Sequence, residues 1–152
     1  MPISSIETAR QVLDVVPAIM RAVRSDMRES ATLNLSVPQF RALGFIHHRP
    51  GTSLSDVAEH IGLTLPSMSK LIDGLVERKL VARSSHADDR RRITLELTPR
   101  GCSVWQSARE STQAALAEKM ATLTETDRAS VVHAMRILQP LFAGKRNDMS
   151  KE

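Results

Sequence analysis

The chain has 152 residues, of which 41% are apolar and 25% are charged. These values are typical of a folded globular protein with one core, and the length is too short for two large domains. A single cysteine, Cys102, excludes an intrachain disulfide and a cysteine-rich zinc site. No stretch approaches the roughly 18 apolar residues of a membrane span, and the N-terminus lacks the features of a secretory signal. We therefore expect a cytoplasmic protein, and its formal net charge of +4 suits a polyanionic partner.

Both ends of the chain carry helical stripes of apolar residues. The first stripe recurs in steps of three and four between Ile6 and Met27, and the second runs from Val131 to Phe142. Thr124, followed three residues later by Asp127, predicts the start of the second helix. Neither stripe has a partner of matching length nearby in the sequence, so we expect both to pack against another subunit. The residues predicted for that interface are Leu13, Met20, Val131, Leu138 and Phe142.

The middle of the chain predicts a helix-turn-helix. Ser36, with Gln39 three residues on, forms a capping-box pair that begins one helix. Ser53 precedes a predicted helix over 54–61, and Thr64 precedes another over 65–78. Ala58 is small enough for a close helix crossing, and Gly62, four residues later, can adopt the positive φ of a tight turn.

A basic β-hairpin follows the helix-turn-helix. Residues 81–84 form a short predicted strand, and the alternation over 93–97 is typical of a half-buried one. The connection between them contains Arg90, Arg91 and Arg92, and Thr98-Pro99 begins a long helix that extends to about residue 121. The pattern predicts a mostly α fold in which a small hairpin flanks the helix-turn-helix, the layout of a winged DNA-binding domain.

Two groups of residues are candidates for contact with double-stranded DNA. The start of helix 65–78 combines free backbone N–H groups with short or flexible polar side chains, which suit phosphates and base edges. At the hairpin, arginine can enter a narrow minor groove, and an adjacent aspartate can orient it by an ion pair. The candidates are Thr64, Pro66, Ser67, Ser69 and Lys70 on the helix, Arg90 and Arg91 on the hairpin, and Asp89 beside them.

One other class of function remains open, and metal binding and enzyme activity are disfavoured. A winged-helix module that binds proteins instead of DNA stays open, because residues 54–101 contain eight Lys and Arg against seven Asp and Glu, a net charge of only +1. The five histidines lack the spacing of a metal site, and no catalytic nucleophile–base arrangement or glycine-rich phosphate loop occurs. We predict no enzyme activity, no metal and no cofactor.

The chain resembles the MarR family of bacterial winged-helix regulators. Residues 35–43 look like the second helix of that family, and residues 50–58 look like the segment leading into its helix-turn-helix. Asp89-Arg90-Arg91, followed by Leu-Glu-Leu-Thr-Pro-Arg-Gly over 95–101, is similar to its wing signature. The resemblance covers nearly all of residues 1–152 as one unit. It implies a winged helix-turn-helix over about 35–100 and a helical dimerisation region over about 5–30 and 101–143.

The resemblance implies a homodimeric, ligand-responsive repressor on an inverted-repeat operator, with a recognition helix in each major groove and a wing arginine in each minor groove. Asp73 stands where the family often has an aspartate, which would orient a wing arginine. The implied effector is small, aromatic or anionic, and binds in a cleft lined by the first, second and fifth helices. Candidates for lining this cleft are Arg24, Phe45, His47 and Trp105, although Phe45 and Trp105 also fit a plain core and Arg24 a solvated surface.

Two positions depart from the family pattern. Gly74 stands where an arginine is frequent, which removes a positive charge and costs the helix roughly 1 kcal/mol relative to alanine. Lys79 stands where glycine is favoured, so we expect helix 65–78 to end without a left-handed cap.

Overall fold

The computed structural model describes residues 1–29, 34–85 and 92–143. These residues form six helices and three short strands, which confirms the predicted mostly α class. The helices are α1 (Ser5–Glu29), α2 (Val37–His48), α3 (Leu54–Ile61), α4 (Leu65–Glu77), α5 (Pro99–Met120) and α6 (Glu125–Phe142). The strands are β1 (Thr52–Ser53), β2 (Val81–Ser85) and β3 (Ile93–Leu97). The chain divides into two units, Met1–Ala115 and Leu116–Glu152.

The predicted caps begin the helices of the first unit. Ser36 accepts a hydrogen bond from the backbone N–H of Gln39 at 3.3 Å, and its own N–H donates to the Gln39 side chain at 2.9 Å. Ser53 Oγ accepts from the N–H of Asp56 at 3.1 Å. Each cap satisfies a backbone donor that the first helical turn would leave unpaired, which fixes where the helix begins.

The helix-turn-helix forms as the sequence predicts. Gly62 adopts φ 82°, and the carbonyl of Ala58 accepts hydrogen bonds from the N–H groups of Gly62 and Leu63 at 2.9 and 3.0 Å. Beneath the turn, α4 buries Met68, Ile72 and Leu75 completely. This burial holds α4 against the rest of the unit and leaves its opposite face outward.

The hairpin belongs to a three-stranded antiparallel sheet in the order β1-β3-β2. Strand β2 pairs with β3 from Val81↔Leu97 to Ser85↔Ile93, one residue beyond the predicted end of β2. Strand β1 was not predicted, because two residues carry no periodic pattern and depend on pairing with Leu95 and Thr94 of β3. Leu95 of β3 is fully buried and packs the sheet against the hydrophobic core.

The expectation that α4 ends without a left-handed cap is wrong, because Lys79 itself adopts φ 60°. The N–H groups of Lys79 and Leu80 donate to Val76 and Leu75 at 2.9 Å each, so the usual terminal hydrogen bonds form despite the side chain. Leu80 then meets the start of α5 so closely that a Cβ on Gly101 would lie 2.0 Å from its carbonyl oxygen. Glycine at position 101 thus permits the close approach between α5 and the junction of α4 with β2.

The two terminal helices leave apolar side chains uncovered. Met27 is the one buried residue of α1, whereas Leu13 is 73% exposed. In the second unit, Thr124 caps α6 by accepting from the N–H of Asp127 at 3.1 Å, as predicted. No residue of α6 is buried, and Phe142 is 74% exposed. Within the described parts of the chain, no helix is long and apolar enough to cross a membrane.

Candidate nucleic-acid interface

The polar residues predicted to contact DNA lie together at the first two turns of α4. Thr64, Pro66, Ser67 and Lys70 are exposed and Ser69 is half-exposed. The Thr64 hydroxyl accepts from the N–H of Ser67 at 3.3 Å and donates to its Oγ at 3.0 Å, so Thr64 has a structural role as the helix cap. Pro66 and Lys70 are four residues apart and share one outer face of the helix. This end of α4 therefore presents backbone donors, hydroxyls and one ammonium group to solvent.

Asp73 links α4 to the hairpin. Its carboxylate forms an ion pair with Arg83 on β2. Arg83 was not singled out from the sequence, because its ten-residue separation from Asp73 carries no helical or strand pattern. Arg90, Arg91 and Asp89, the predicted residues of the wing tip, lie outside the described residues, and Arg92 is exposed just before β3.

Two apolar residues at the same surface were also missed. Leu65, the first residue of α4, is 51% exposed, and Leu63, in the turn before it, is 37% exposed. A leucine in an amphipathic helix is usually assigned to the core, and only the folded position of the first turn distinguishes Leu65 from the buried Met68. The start of α4 and the turn before it therefore expose apolar side chains as well as polar groups.

Two of the four candidate effector residues come together between α2 and α5. The rings of His47 and Trp105 stack with centroids 4.4 Å apart, and the Arg109 guanidinium lies 5.5 Å from the Trp105 ring. Cys102 Sγ is 3.9 Å from Nδ1 of His47. A Cβ on Gly44 would lie 2.9 Å from Trp105 Nε1, so glycine allows the indole to lie flat against α2.

The other two candidates lie elsewhere. Phe45 is buried on the α3 side of α2, where its ring is 4.5 Å from that of His60 and lies under the Arg49 guanidinium at 4.9 Å. Arg24 is exposed, and its Nε donates to the carbonyl of Met20 in its own helix at 3.4 Å.

His60 has a perturbed titration in this packing. Partial burial lowers the pKa of His60, and the nearby positive charges of Arg41 and Arg49 lower it further. Arg41 also donates a hydrogen bond to the carbonyl of His60 at 3.4 Å, next to the turn. Across residues 1–29, 34–85 and 92–143, no cluster of three or more potential metal ligands occurs.

A helix-turn-helix with an outward polar helix and an adjoining antiparallel hairpin defines the winged-helix class of DNA-binding proteins. The model of the MarR family matches residues 33–92. The regulator YfiV of Bacillus subtilis is 26% identical over 113 residues, which cover 74% of this chain and 71% of that protein. The repressor Rv2887 of Mycobacterium tuberculosis is 30% identical over 92 residues, which cover 60% of this chain and 66% of that protein.

Solved structures have the same fold. The crystal structure of RV1404 from M. tuberculosis superposes with a TM-score of 0.76 at 21% identity, covering 91% of this chain and 94% of that one. The crystal structure of Rv2887 with p-aminosalicylic acid superposes with a TM-score of 0.71 at 23% identity, covering 86% and 96%. The chain belongs to the MarR family, and it is a DNA-binding transcriptional regulator.

Proposed function

We propose that the protein is a homodimeric repressor that binds an inverted-repeat operator through α4 and the hairpin. The observation that carries this proposal is the outward start of α4, where Ser67, Ser69 and Lys70 are accessible beside an ion-paired hairpin. In each half-site, α4 would enter the major groove and its hydroxyls and Lys70 would contact phosphates and base edges. The Asp73–Arg83 ion pair would fix the angle between α4 and the hairpin.

The wing is proposed to contact the adjacent minor groove through Arg90 or Arg91. Arginine gains there from the focused negative potential of a narrow groove, without close reading of the bases. A link between α4 and β2 supports this assignment, because it holds the base of the hairpin against the helix that enters the major groove.

A second copy of the chain is proposed to cover the apolar faces of α1 and α6. The support is their exposure, since Leu13, Val131 and Phe142 are exposed and Met20 and Leu138 are half-exposed. Soluble monomers seldom leave contiguous apolar surface of this kind on a whole helix. An isologous dimer would also match the two-fold symmetry of an inverted repeat.

The effector is proposed to be a small aromatic or anionic molecule that binds beside the stacked pair of His47 and Trp105. The support is chemical, because aromatic faces with the Arg109 guanidinium near the indole suit a flat anion. The related protein Rv2887 has a crystal structure in complex with p-aminosalicylic acid, an aromatic carboxylate. Phe45 is not included, because it packs against His60 on the other side of α2.

The test uses the salt dependence of binding to a duplex selected by the wild-type protein from a random-sequence library. Lys70→Ala should weaken binding and reduce the magnitude of the slope of log K against log salt by about one unit, because one phosphate contact is lost. Lys119→Ala, the same change of charge in the last turn of α5, is the matched control and should leave the slope unchanged.

The outcomes separate the two candidate functions. A slope that Lys70→Ala and Lys119→Ala leave equally unchanged would contradict the phosphate contact of Lys70. Failure to select any duplex would instead favour the protein-binding winged-helix module, for which the specific support is Gly74, where the family frequently has arginine, and the low net charge of residues 54–101.

A further inference from the structure

Leu65 is an exposed apolar side chain at the start of the proposed recognition helix. It is 51% exposed, whereas Met68, Ile72 and Leu75 of the same helix are completely buried. Leu65 lies four residues before Ser69, so the two side chains share one face of α4. The fold thus gains little from Leu65, and its apolar surface stands next to polar groups proposed to contact DNA.

The chemistry of the major groove limits what an apolar side chain can recognise there. Donors and acceptors cover most of the groove edge of each base pair, and the C5-methyl group of thymine is the apolar feature. Leu65 follows the capping residue Thr64 and precedes Pro66, so it lies at the end of α4 that is proposed to enter the groove. There it can bury the methyl group, which removes apolar surface of both groups from water. It cannot replace the hydrogen bonds of the other base edges.

We propose that Leu65 is a specificity-determining residue that packs on the C5-methyl group of a thymine in each operator half-site. The inference rests on the proposed function, because it requires α4 to enter the major groove. Leu63 is a poorer candidate, since it is less exposed and lies in the turn before the helix. Each half-site should therefore contain at least one thymine whose methyl group contributes to affinity.

Replacement of thymine by deoxyuridine tests this directly, because it removes the methyl group and keeps the base pair and the phosphates. In the duplex selected by the wild-type protein, every thymine is replaced singly by deoxyuridine. At one position per half-site, wild-type affinity should fall by about three- to fivefold, the effect of losing one buried methyl group. The same replacement should leave the affinity of Leu65→Ala nearly unchanged.

Further variants distinguish methyl recognition from a general effect on the fold. Leu65→Asn, polar and of similar size, should also lose the methyl dependence, whereas Leu65→Met should keep part of it because its side chain remains apolar. Melting curves of all three variants should stay close to wild type, since the side chain is half-exposed.

The inference and the proposed function fail in different ways. A wild-type protein that binds its selected duplex but tolerates every deoxyuridine, or a selected half-site without thymine, would overturn the role of Leu65 alone. Equal loss on deoxyuridine replacement in wild type and Leu65→Ala would assign the methyl contact to another residue and also overturn it. Failure to bind any duplex would overturn both proposals.

Discussion

At the scale of single residues, the junction between α4 and β2 combines a left-handed residue with two hydrogen bonds from Thr98. Lys79 occupies the left-handed region, where a Cβ crowds the following carbonyl group. The Thr98 hydroxyl donates to the Lys79 carbonyl at 2.6 Å, and the Thr98 N–H donates to Leu80 at 3.1 Å. These two bonds hold the backbone in place, so the lysine bears a conformational cost that glycine would avoid.

Lys79→Gly should therefore stabilise the protein. The backbone hydrogen bonds remain and the steric cost disappears, so the free energy of unfolding should rise by about 0.5–1 kcal/mol. Urea denaturation measures the change. The matched control is Lys70→Gly within α4, where the same substitution should lower the free energy of unfolding by about 1 kcal/mol. Destabilisation by Lys79→Gly would show that the left-handed residue carries no strain.

At the scale of elements, local patterns predicted most of the helices and both hairpin strands. Capping at Ser36, Ser53 and Thr64 depends on neighbours three residues away, so the sequence alone is sufficient to place those helix starts. The particular partners in contacts between distant elements were not predictable, although the family resemblance implied that Asp73 would pair with a wing arginine. The ion pair of Asp73 with Arg83 and the pairing of β1 with β3 arise only when the chain has folded.

The candidate site shows the same division. The residues at the start of α4 could be identified because they follow a recognisable cap and turn. Phe45 and His47 are two residues apart, so helical spacing places their side chains on different sides of α2, but the sequence could not show that their partners are His60 and Trp105. Nor could it show that Leu65 is exposed, because exposure at a first turn depends on where the other helices end.

Packing between α2 and α3 should make stability dependent on pH through His60. The folded state lowers the pKa of His60 below 6.5, so the unfolded chain takes up the proton first as pH falls. The part of the free energy of unfolding that depends on a neutral His60 is fully present above about pH 6.5, and it is lost as the pH falls from there through the folded-state pKa of His60. Urea denaturation of wild type and His60→Gln at pH 8 and pH 5 should show a smaller loss in the variant.

Arg49 provides a second test of the same cause. Arg49→Gln removes one of the two neighbouring positive charges and should reduce the loss of stability between pH 8 and pH 5, whatever it does to stability at pH 8. Identical losses in wild type, His60→Gln and Arg49→Gln would contradict a role for His60 in acid sensitivity.

At the scale of the whole molecule, the surfaces that the fold leaves uncovered indicate which part is proposed to bind DNA and which part is proposed to bind a second subunit. Residues 34–85 and 92–97 contain the buried side chains of the helix-turn-helix and the sheet and expose polar groups at α4. The helices α1 and α6 are covered far less, although their sequences are strongly patterned. An exposed helix with a regular apolar stripe is best explained by a partner chain that covers the stripe. The two-fold symmetry of such a dimer would match that of an inverted-repeat operator.

Leu138→Asp should disrupt the proposed dimer. Leu138 lies among Val131, Met135 and Phe142 on one face of α6, and a carboxylate there would be buried without a partner if a second copy covers that face. The control is His133→Asp, which places the same carboxylate on the opposite side of the helix and should leave the dimer intact. Light scattering at micromolar concentration measures both variants. A monomeric wild type, or equal effects of the two substitutions, would contradict dimerisation through α6. A monomer presents only one recognition helix. Leu138→Asp should therefore also lose affinity for an inverted repeat far more than for a single half-site.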